Sequence, residues 1–265
     1  MKGQLICVGT GMTLGAHISP VSRHHIENAD KVYYLMSNTL VEQWVESMNS
    51  NCESLQQFYE EGYSRNNSYN DMVAAILASV RAGKKVVAAF YGHPGVFACV
   101  AHRAIDKARK EQFAAHMEAG ISAEDCLYAD LNIDPGRYGC INFEASQFMF
   151  YQRKIDTSAY LILWQVGMAG DQSLTKFSTG AAYRKILVEL LAEHYPLDHQ
   201  VLLYRAKVLP TDTGLKQQLT LNDLVEMEVS MHSTLVIPPA NKLQINQKVI
   251  DKLNKVDNQP ILSLV

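Results

Sequence analysis

The amino-acid sequence predicts an α/β protein whose first half is built on a parallel sheet. Three features predict it. Leu5-Ile6-Cys7-Val8 is a short unbroken apolar run closed by Gly9-Thr10-Gly11. Lys84 to Tyr91 (KKVVAAFY) is a second such run and passes directly into Gly92-His93-Pro94-Gly95. Helical patterns alternate with apolar runs of this kind, which is the rhythm of strand-helix-strand units. In such sheets the turns beyond the carboxyl ends of the strands are where ligands bind.

The elements follow in order. Ser19 to Ala29 reads as a helix, with Ser19 as N-cap and Pro20 at the first helical position, and Lys31 to Leu35 as a strand. Asn38 to Met48 reads as a helix, and residues 50–68, polar and aromatic without periodicity, as a short strand followed by a loop. Tyr69 to Ala82 is a helix stopped by Gly83 as a C′ glycine, and Val96 to Glu111 is another. After about Gly120 the rhythm changes: Ser122 to Leu131 and Ala181 to Glu193 read as helices, and Tyr160 to Trp164, Val201 to Tyr204 and Thr234 to Ile237 as strands. The change puts a boundary near 115–121, separating an N-terminal α/β domain (1–118) from a C-terminal α/β domain (119–245). A tail, 246–265, ends in the apolar residues Ile261 to Val265.

Composition narrows the function. At 265 residues the chain can bury roughly three quarters of its extended surface without disulfides or metals. With 48% hydrophobic and 19% charged residues it is neither a disordered protein nor a coiled coil. A net charge of −3 removes the cationic field by which proteins hold nucleic acid through its backbone. No apolar run approaches the ~18 residues of a membrane span. The five cysteines, Cys7, Cys52, Cys99, Cys126 and Cys140, form no Cys-x-x-Cys pair, which argues against a zinc site or a disulfide framework. The expectation is a reduced cytoplasmic protein that touches neither membrane nor nucleic acid.

Several motifs carry chemistry. Val8-Gly9-Thr10-Gly11 lacks the third glycine of a dinucleotide fingerprint, since position 14 is Leu14, and lacks the Lys-Ser/Thr of a P-loop. It is either a tight strand-to-loop turn or a backbone that must approach a ligand closely. Tyr91-Gly92-His93-Pro94-Gly95-Val96-Phe97 is more specific, a rigid backbone at the sheet's carboxyl edge, where His93 serves as a packing contact rather than a proton shuttle. In the Tyr59, Tyr63, Arg65, Tyr69 group a guanidinium beside a phenol would favour phenolate. Composition alone favours the plainer reading, tyrosines packing at a helix start with a cation–π contact. His17, His24, His25 and His102 lack metal spacing, and Asp125, Asp130 and Asp134 are too sparse for a hard cation, so no metal is expected.

Taken in order, Val8 to Gly11, Phe90 to Phe97, Gly120-Ile121-Ser122-Ala123-Glu124-Asp125-Cys126-Leu127, Ile162 to Gly167 and His232-Ser233-Thr234-Leu235-Val236-Ile237-Pro238-Pro239 resemble the tetrapyrrole methylase superfamily. Within it they most resemble the omphalotin-type borosin α-N-methyltransferases, which methylate peptide backbone amides with S-adenosylmethionine. The likeness runs over about residues 3–240. It implies a class III methyltransferase fold of two α/β domains, the cofactor in the cleft between them, and a homodimer. Residue by residue it implies a catalytic set of Tyr59, Arg65, Tyr69 and Tyr91. It implies cofactor contacts at Gly9, Gly11, Tyr91, His93, Val96, Ser122, Ala123, Gln165, Tyr204, Ser233 and Thr234. Gln56 stands where the family has a further tyrosine, and Tyr63 lies outside the pattern.

The resemblance reverses the reading of the tyrosines. A peptide nitrogen is planar and barely nucleophilic because its lone pair is delocalised into the carbonyl. It attacks a methyl sulfonium only when its proton leaves and the charge is held on the carbonyl oxygen, which calls for a base and an oxyanion partner. A phenolate at Tyr69 or Tyr59, favoured by Arg65, is the expected base, with the other phenol and Tyr91 stabilising the imidate oxygen. Fused relatives continue into a helical clasp and a core peptide, whereas this sequence stops at Val265. The expectation is therefore a split enzyme acting in trans on a small precursor, as a 2:2 complex. The rival readings are a precorrin-like C-methyltransferase and a non-catalytic S-adenosylmethionine-binding scaffold.

Overall fold

The two apolar runs that open the sequence reading become the centre of a five-stranded parallel sheet. The computed structural model describes residues 2–60 and 62–257. In chain order the first half contains β1 (Gln4–Gly9), α1 (Pro20–Glu27), β2 (Lys31–Leu35), α2 (Thr39–Met48), β3 (Cys52–Ser54), a 3-10 turn (Leu55–Phe58), α3 (Arg65–Arg81), β4 (Lys85–Phe90), α4 (Cys99–Lys110) and β5 (Ala114–Met117). Strand order is β3-β2-β4-β1-β5. Every pairing is parallel, with Leu5 opposite both Val86 and Ala115.

The runs are apolar throughout because both faces are covered. Leu5, Cys7, Val86, Ala88 and Phe90 face α3 and α4 through Met72, Ile76, Leu77, Val80 and Ala101. Ile6, Val8, Val87 and Ala89 face α1 and α2 through Ile26, Val41 and Val45. Each of the Val, Leu, Ile, Phe and Met side chains among them contributes about 1.5–3 kcal/mol by leaving water. The helix ends follow local chemistry. Ser19 accepts from the Ser22 amide and Asn38 from Leu40, and Gly83, at φ +83°, follows α3 in the left-handed region open to glycine.

The second half continues with α5 (Ala123–Leu131), α6 (Pro135–Tyr138), β6 (Cys140–Glu144), α7 (Ala145–Phe150), β7 (Tyr160–Trp164), a 3-10 turn (Val166–Met168), α8 (Ala181–Ala192), β8 (Gln200–Arg205), β9 (Leu215–Thr220), a 3-10 turn (Asn222–Val225), β10 (Thr234–Ile237) and α9 (Gln247–Asp257). Its sheet has the order β6-β7-β10-β8-β9. Only β6 and β7 run parallel. One face packs on α8, the other carries Ile162, Trp164, Tyr204 and Val236 under Leu127 of α5. The sheets meet where Leu14 N–H donates to the Val208 carbonyl (2.8 Å) and the Thr13 hydroxyl to that of Lys207 (3.2 Å). Among the described residues no helix is long and apolar enough to cross a membrane.

Several expected boundaries move. α3 starts a full turn earlier than Tyr69, and α4 starts at Cys99 because the chain from Val96 remains in the loop, with Phe97 at φ +50°. β5, α6, β6, α7 and β9 are additional to the elements expected, as is α9, which occupies part of the expected tail. The expected apolar end Ile261 to Val265 lies outside the described residues.

Candidate active site

The four residues of the expected catalytic set converge at the carboxyl edge of the first sheet, delivered by three different segments. Tyr59 follows the 3-10 turn, Arg65 opens α3, Tyr69 lies four residues on and so on the same helix face, and Tyr91 follows β4 directly. The Tyr59 and Tyr69 rings meet edge to face with centroids 6.3 Å apart. Phe177 also meets the Tyr59 ring edge to face, with centroids 6.2 Å apart. The Arg103 guanidinium lies 5.9 Å from the Tyr69 ring centroid. A cavity of about 180 Å³ opens here, lined by Arg65, Tyr69, Arg103, Phe150, Gln165 and Leu174 among others. A larger hollow of about 380 Å³, lined by Tyr128, Arg137, Tyr138 and Tyr160, contains none of the expected site residues.

Electrostatics add a cost to the expected base. Arg65 does not leave a phenolate at rest. Burial raises the Tyr59 phenol far above its ordinary range, and the Tyr69 phenol beside it adds to the effect. Tyr69 is raised too, by burial first and by Cys99 next, while the charges of Arg65 and Arg103 pull it back. Tyr91 is raised by burial and by Tyr69. All three phenols are neutral near pH 7, because loss of solvation outweighs the cations. Arg65 is itself engaged elsewhere: its Nη2 donates to Asp171 Oδ2 at 3.2 Å and its Nη1 to the Lys176 carbonyl. The side chains of Gln56 and Tyr63 are engaged elsewhere. Gln56 donates to the Met36 carbonyl (2.6 Å), and exposed Tyr63 donates to Asp71 (3.1 Å).

The glycine motifs form a narrow neck. Gly11 and Gly92 pair backbone to backbone, each donating to the other's carbonyl, at 3.2 and 2.9 Å. A Cβ on Gly9 would stand 2.3 Å from the Gly92 oxygen and 3.3 Å from the Gly120 Cα, so only glycine permits this approach. His93 Nδ1 accepts from the Gly95 amide (2.9 Å) and His102 Nε2 lies 2.9 Å from the Gly95 carbonyl, so two imidazoles pin the loop that carries Val96. Across from it, Gln165 sits at φ +59° after β7, and the amide of Val166 donates to the Ser233 carbonyl (3.0 Å), which brings Gln165, Ser233 and Thr234 together.

Three of the expected cofactor residues have structural work that the sequence reading did not foresee. Ser122 and Asp125 form a capping box at the start of α5, next to Ala123. The Ser233 hydroxyl accepts from the Ser230 amide (3.0 Å). Tyr204 is fully buried and donates to Asp130 (2.9 Å), which leaves its hydroxyl no second donation to a ligand. The acids weighed for a cation are committed as well, Asp125 to the box, Asp130 to Tyr204 and Lys216, and Asp134 to the cap of α6. His25, His116 and Glu118 do converge, from α1 and the end of β5. Glu118 Oε1 lies 3.1 Å from His116 Nε2 and 3.5 Å from His25 Nε2, a carboxylate shared by two imidazoles. Sequence spacing could not show it, because His25 is brought in by a different element. Asp171, Arg103 and Phe177 were likewise missed.

Comparison with known proteins places these features. The chain is 38% identical over 252 residues to the methyltransferase/ribosomally synthesized cyclic peptide dendrothelin A precursor of Dendrothele bispora, covering 94% of this chain and 60% of that protein. It is 37% identical to the methyltransferase/cyclic peptide omphalotin A precursor of Omphalotus olearius, covering 95% and 61%. It is 38% identical to the type I borosin cyclic peptide precursor of Coprinopsis marcescibilis, covering 97% and 68%. The chain thus spans about three fifths to two thirds of the length of these relatives. Among solved structures it shares its fold with uroporphyrin-III-C-methyltransferase from Thermus thermophilus, at a TM-score of 0.65, 17% identity and coverage of 90% and 93%. Cobalt precorrin-4 methyltransferase aligns at a TM-score of 0.61 and 14% identity, covering 89% and 94%. The sequence pattern of the tetrapyrrole (corrin/porphyrin) methylases matches residues 4–218, and the chain belongs to that family.

Proposed function

We propose that this protein uses S-adenosylmethionine to methylate backbone amide nitrogens of a ribosomally made precursor peptide. The single observation that carries the reading is the Tyr59, Tyr69, Tyr91 cluster with Arg65 and Arg103 beside it, at the glycine neck. Carbon methylation of an electron-rich macrocycle has no use for this set, whereas an amide needs both a base and a partner for its oxygen. The relatives named as combined methyltransferases and cyclic peptide precursors support the same substrate class.

The residues present fit the cofactor. Neutral phenol oxygens and aromatic faces suit a sulfonium cation. The backbone of Gly9, Gly11, His93 and Val96, the Gln165 amide and the hydroxyl of Thr234 surround the neck and would hold the rest. When bound, S-adenosylmethionine supplies an electrophilic methyl group and leaves as S-adenosylhomocysteine.

The structure makes the two central tyrosines unequal. Arg65 and Arg103 both act on Tyr69, and Tyr59 is raised further than Tyr69. Tyr69 is therefore the base: its ionised fraction takes the amide proton onto Oη as the nitrogen's electron pair forms the new N–CH3 bond. Tyr59 and Tyr91 remain phenols and donate to the carbonyl oxygen, where the imidate charge gathers. Ionising an ordinary phenol at pH 7 costs about 4 kcal/mol, and burial adds to that. Slow turnover follows from this chemistry.

The test is incubation of the purified protein with methyl-labelled S-adenosylmethionine and a protein extract of its source cells, followed by sizing and mass spectrometry. Label on a small polypeptide, in increments of one CH2 on backbone nitrogens, supports the reading, including its action in trans. Label on the chain itself would move the substrate into cis, and label confined to small molecules would favour the tetrapyrrole reading. Cofactor binding without transfer would favour the scaffold. Light scattering of the same samples reads the dimer and its 2:2 complex.

A further inference from the structure

The first turn of α3 is held by the second sheet's half of the chain rather than by its own. Ser64, its N-cap, makes no side-chain cap bond. The Arg65 amide donates instead to the Leu174 carbonyl at 2.9 Å, and the guanidinium reaches the Lys176 carbonyl and Asp171. All three acceptors lie in one loop, residues 171–176, that follows the 3-10 turn after β7.

Asp171 organises that loop. Its side chain is 1% exposed. Oδ1 accepts from the Ser173 amide (3.0 Å) and hydroxyl (2.6 Å), and Oδ2 accepts from the Lys176 amide (3.0 Å) and from Arg65. Burial by itself would raise its pKa, yet these donors and the Arg65 charge hold it below the ordinary carboxylate range. Leu174, at the apex, is held at φ +58°, a conformation that costs a non-glycine residue energy and persists where the surroundings enforce it. The far end of the loop is tied down as well, the Thr179 hydroxyl lying 3.2 and 3.0 Å from the carbonyls of Gly167 and Ala169.

A buried carboxylate with four donors, one of them a guanidinium, is a built arrangement, and its partner is the residue next to the reacting groups. We propose that Asp171 is a positioning residue for methyl transfer: it fixes the 171–176 loop and, through Arg65, the first turn of α3, so that Tyr69 one turn on is set by the second half of the chain. The inference rests on the peptide-methylation reading for its kinetic consequence and on geometry alone for the latch. Asp171 touches no reacting atom. Its role is to hold Arg65 at a fixed distance from the Tyr69 phenol and to keep Leu174 in the cavity wall with Tyr69 and Phe177 against Tyr59.

Two measurements on the full chain test it. Hydrogen–deuterium exchange needs no peptide: in Asp171→Asn the amides of 171–176 and Arg65 should exchange faster, with S-adenosylmethionine affinity by calorimetry unchanged. Unchanged protection of those amides would overturn the latch. The second measurement uses as probe the part of the omphalotin A precursor beyond the stretch matched by this chain, supplied as a separate polypeptide. Asp171→Asn should lower kcat by up to about 100-fold with KM for the probe unchanged, the signature of misplaced rather than missing groups. In an Arg65→Ala background the same change should have no further effect, because Asp171 acts through Arg65. Wild-type turnover in Asp171→Asn, or additive losses in the double variant, would overturn the positioning role and leave the peptide reading intact. Absence of transfer to the probe by the wild type counts against that reading, and the exchange result then decides the latch.

Discussion

Tyr59 and Tyr69 stand edge to face, ring centroids 6.3 Å apart and planes at 84°, yet only Tyr69 has cations to pull down its raised phenol. The asymmetry separates their roles. Tyr69→Phe removes the proposed base and should lower kcat by about 10²–10⁴-fold, the usual worth of a positioned base. Tyr59→Phe removes one donor to the imidate oxygen and should cost about 10²–10³-fold. Both should bind S-adenosylmethionine as the wild type does; calorimetry and single-turnover assays check this, and a Tyr69→Phe enzyme of normal rate would overturn the assignment.

The pH dependence follows from the same burial. The Tyr69 pKa is raised above its ordinary value near 10, so at neutral pH the working phenolate is a small fraction. Single-turnover rates should climb close to tenfold per pH unit from about pH 7 to 9, and Arg65→Lys should reduce the rate throughout. The stability linkage has the opposite sense. A phenol with a raised folded pKa contributes stability that is complete below about pH 10 and is lost as pH rises through the folded value. A flat rate profile over this range would exclude a phenolate base.

Ser122 predicts a stability effect where family resemblance points to cofactor binding. Its hydroxyl and the Asp125 carboxylate close a capping box on α5. Ser122→Ala should lower unfolding free energy by about 1 kcal/mol in urea titrations. Cofactor affinity should fall only as far as the N-terminus of α5 frays.

Two glycines with similar backbones should respond differently to alanine. Gly11 (φ +74°) would place a Cβ 2.1 Å from that of His17, whereas Gly62 (φ +80°) would meet nothing within 4 Å. Gly62→Ala should cost about 1–2 kcal/mol for the left-handed backbone alone. Gly11→Ala should cost more and weaken S-adenosylmethionine binding, because the neck must open. Paired thermal melts and calorimetry measure both.

The fold was legible where burial is two-sided. β1, β2 and β4 are unbroken apolar runs because helices cover both faces: in β2, Tyr33 and Leu35 pack on one side and Val32 and Tyr34 on the other. β5 and β9 were not legible because they lie at sheet edges: Ala114–Met117 has one residue in the core, and Leu215–Thr220 turns Lys216, Gln217 and Gln218 to solvent. α3 begins earlier than its apolar period because Arg65, Asn66 and Asn67 are polar, and the helix start is settled by a carbonyl more than a hundred residues away.

The site divides in the same manner. The glycine turns of the neck are readable locally, but that they meet is not: only the fold brings Gly9, Gly92 and Gly120 within contact of one another. The tyrosines needed resemblance, because Tyr59, Tyr69 and Tyr91 come from separate segments and composition favours packing. Asp171 was unreadable: its partner Arg65 is 106 residues away, and Asp-Gln-Ser alone signals only a turn. Arg65 does pull the Tyr69 phenol down, as the sequence suggested, but the burial that dominates each phenol was not legible, being a property of the assembled cleft.

Phe97, Gln165 and Leu174 are three of the five non-glycine residues with left-handed backbones among those described. Two of them line the 180 Å³ cavity, and Phe97 leans on Trp164 at the neck with ring centroids 5.5 Å apart. Glycine at any of the three would relieve a strain of about 1–3 kcal/mol, less about 0.5–1 kcal/mol for the freer unfolded chain. The cleft is thus where thermal robustness is most cheaply gained, and where gaining it exchanges a set geometry for a slack one. A selection for heat tolerance alone should drift toward glycine at these positions and end with a sturdier, slower enzyme.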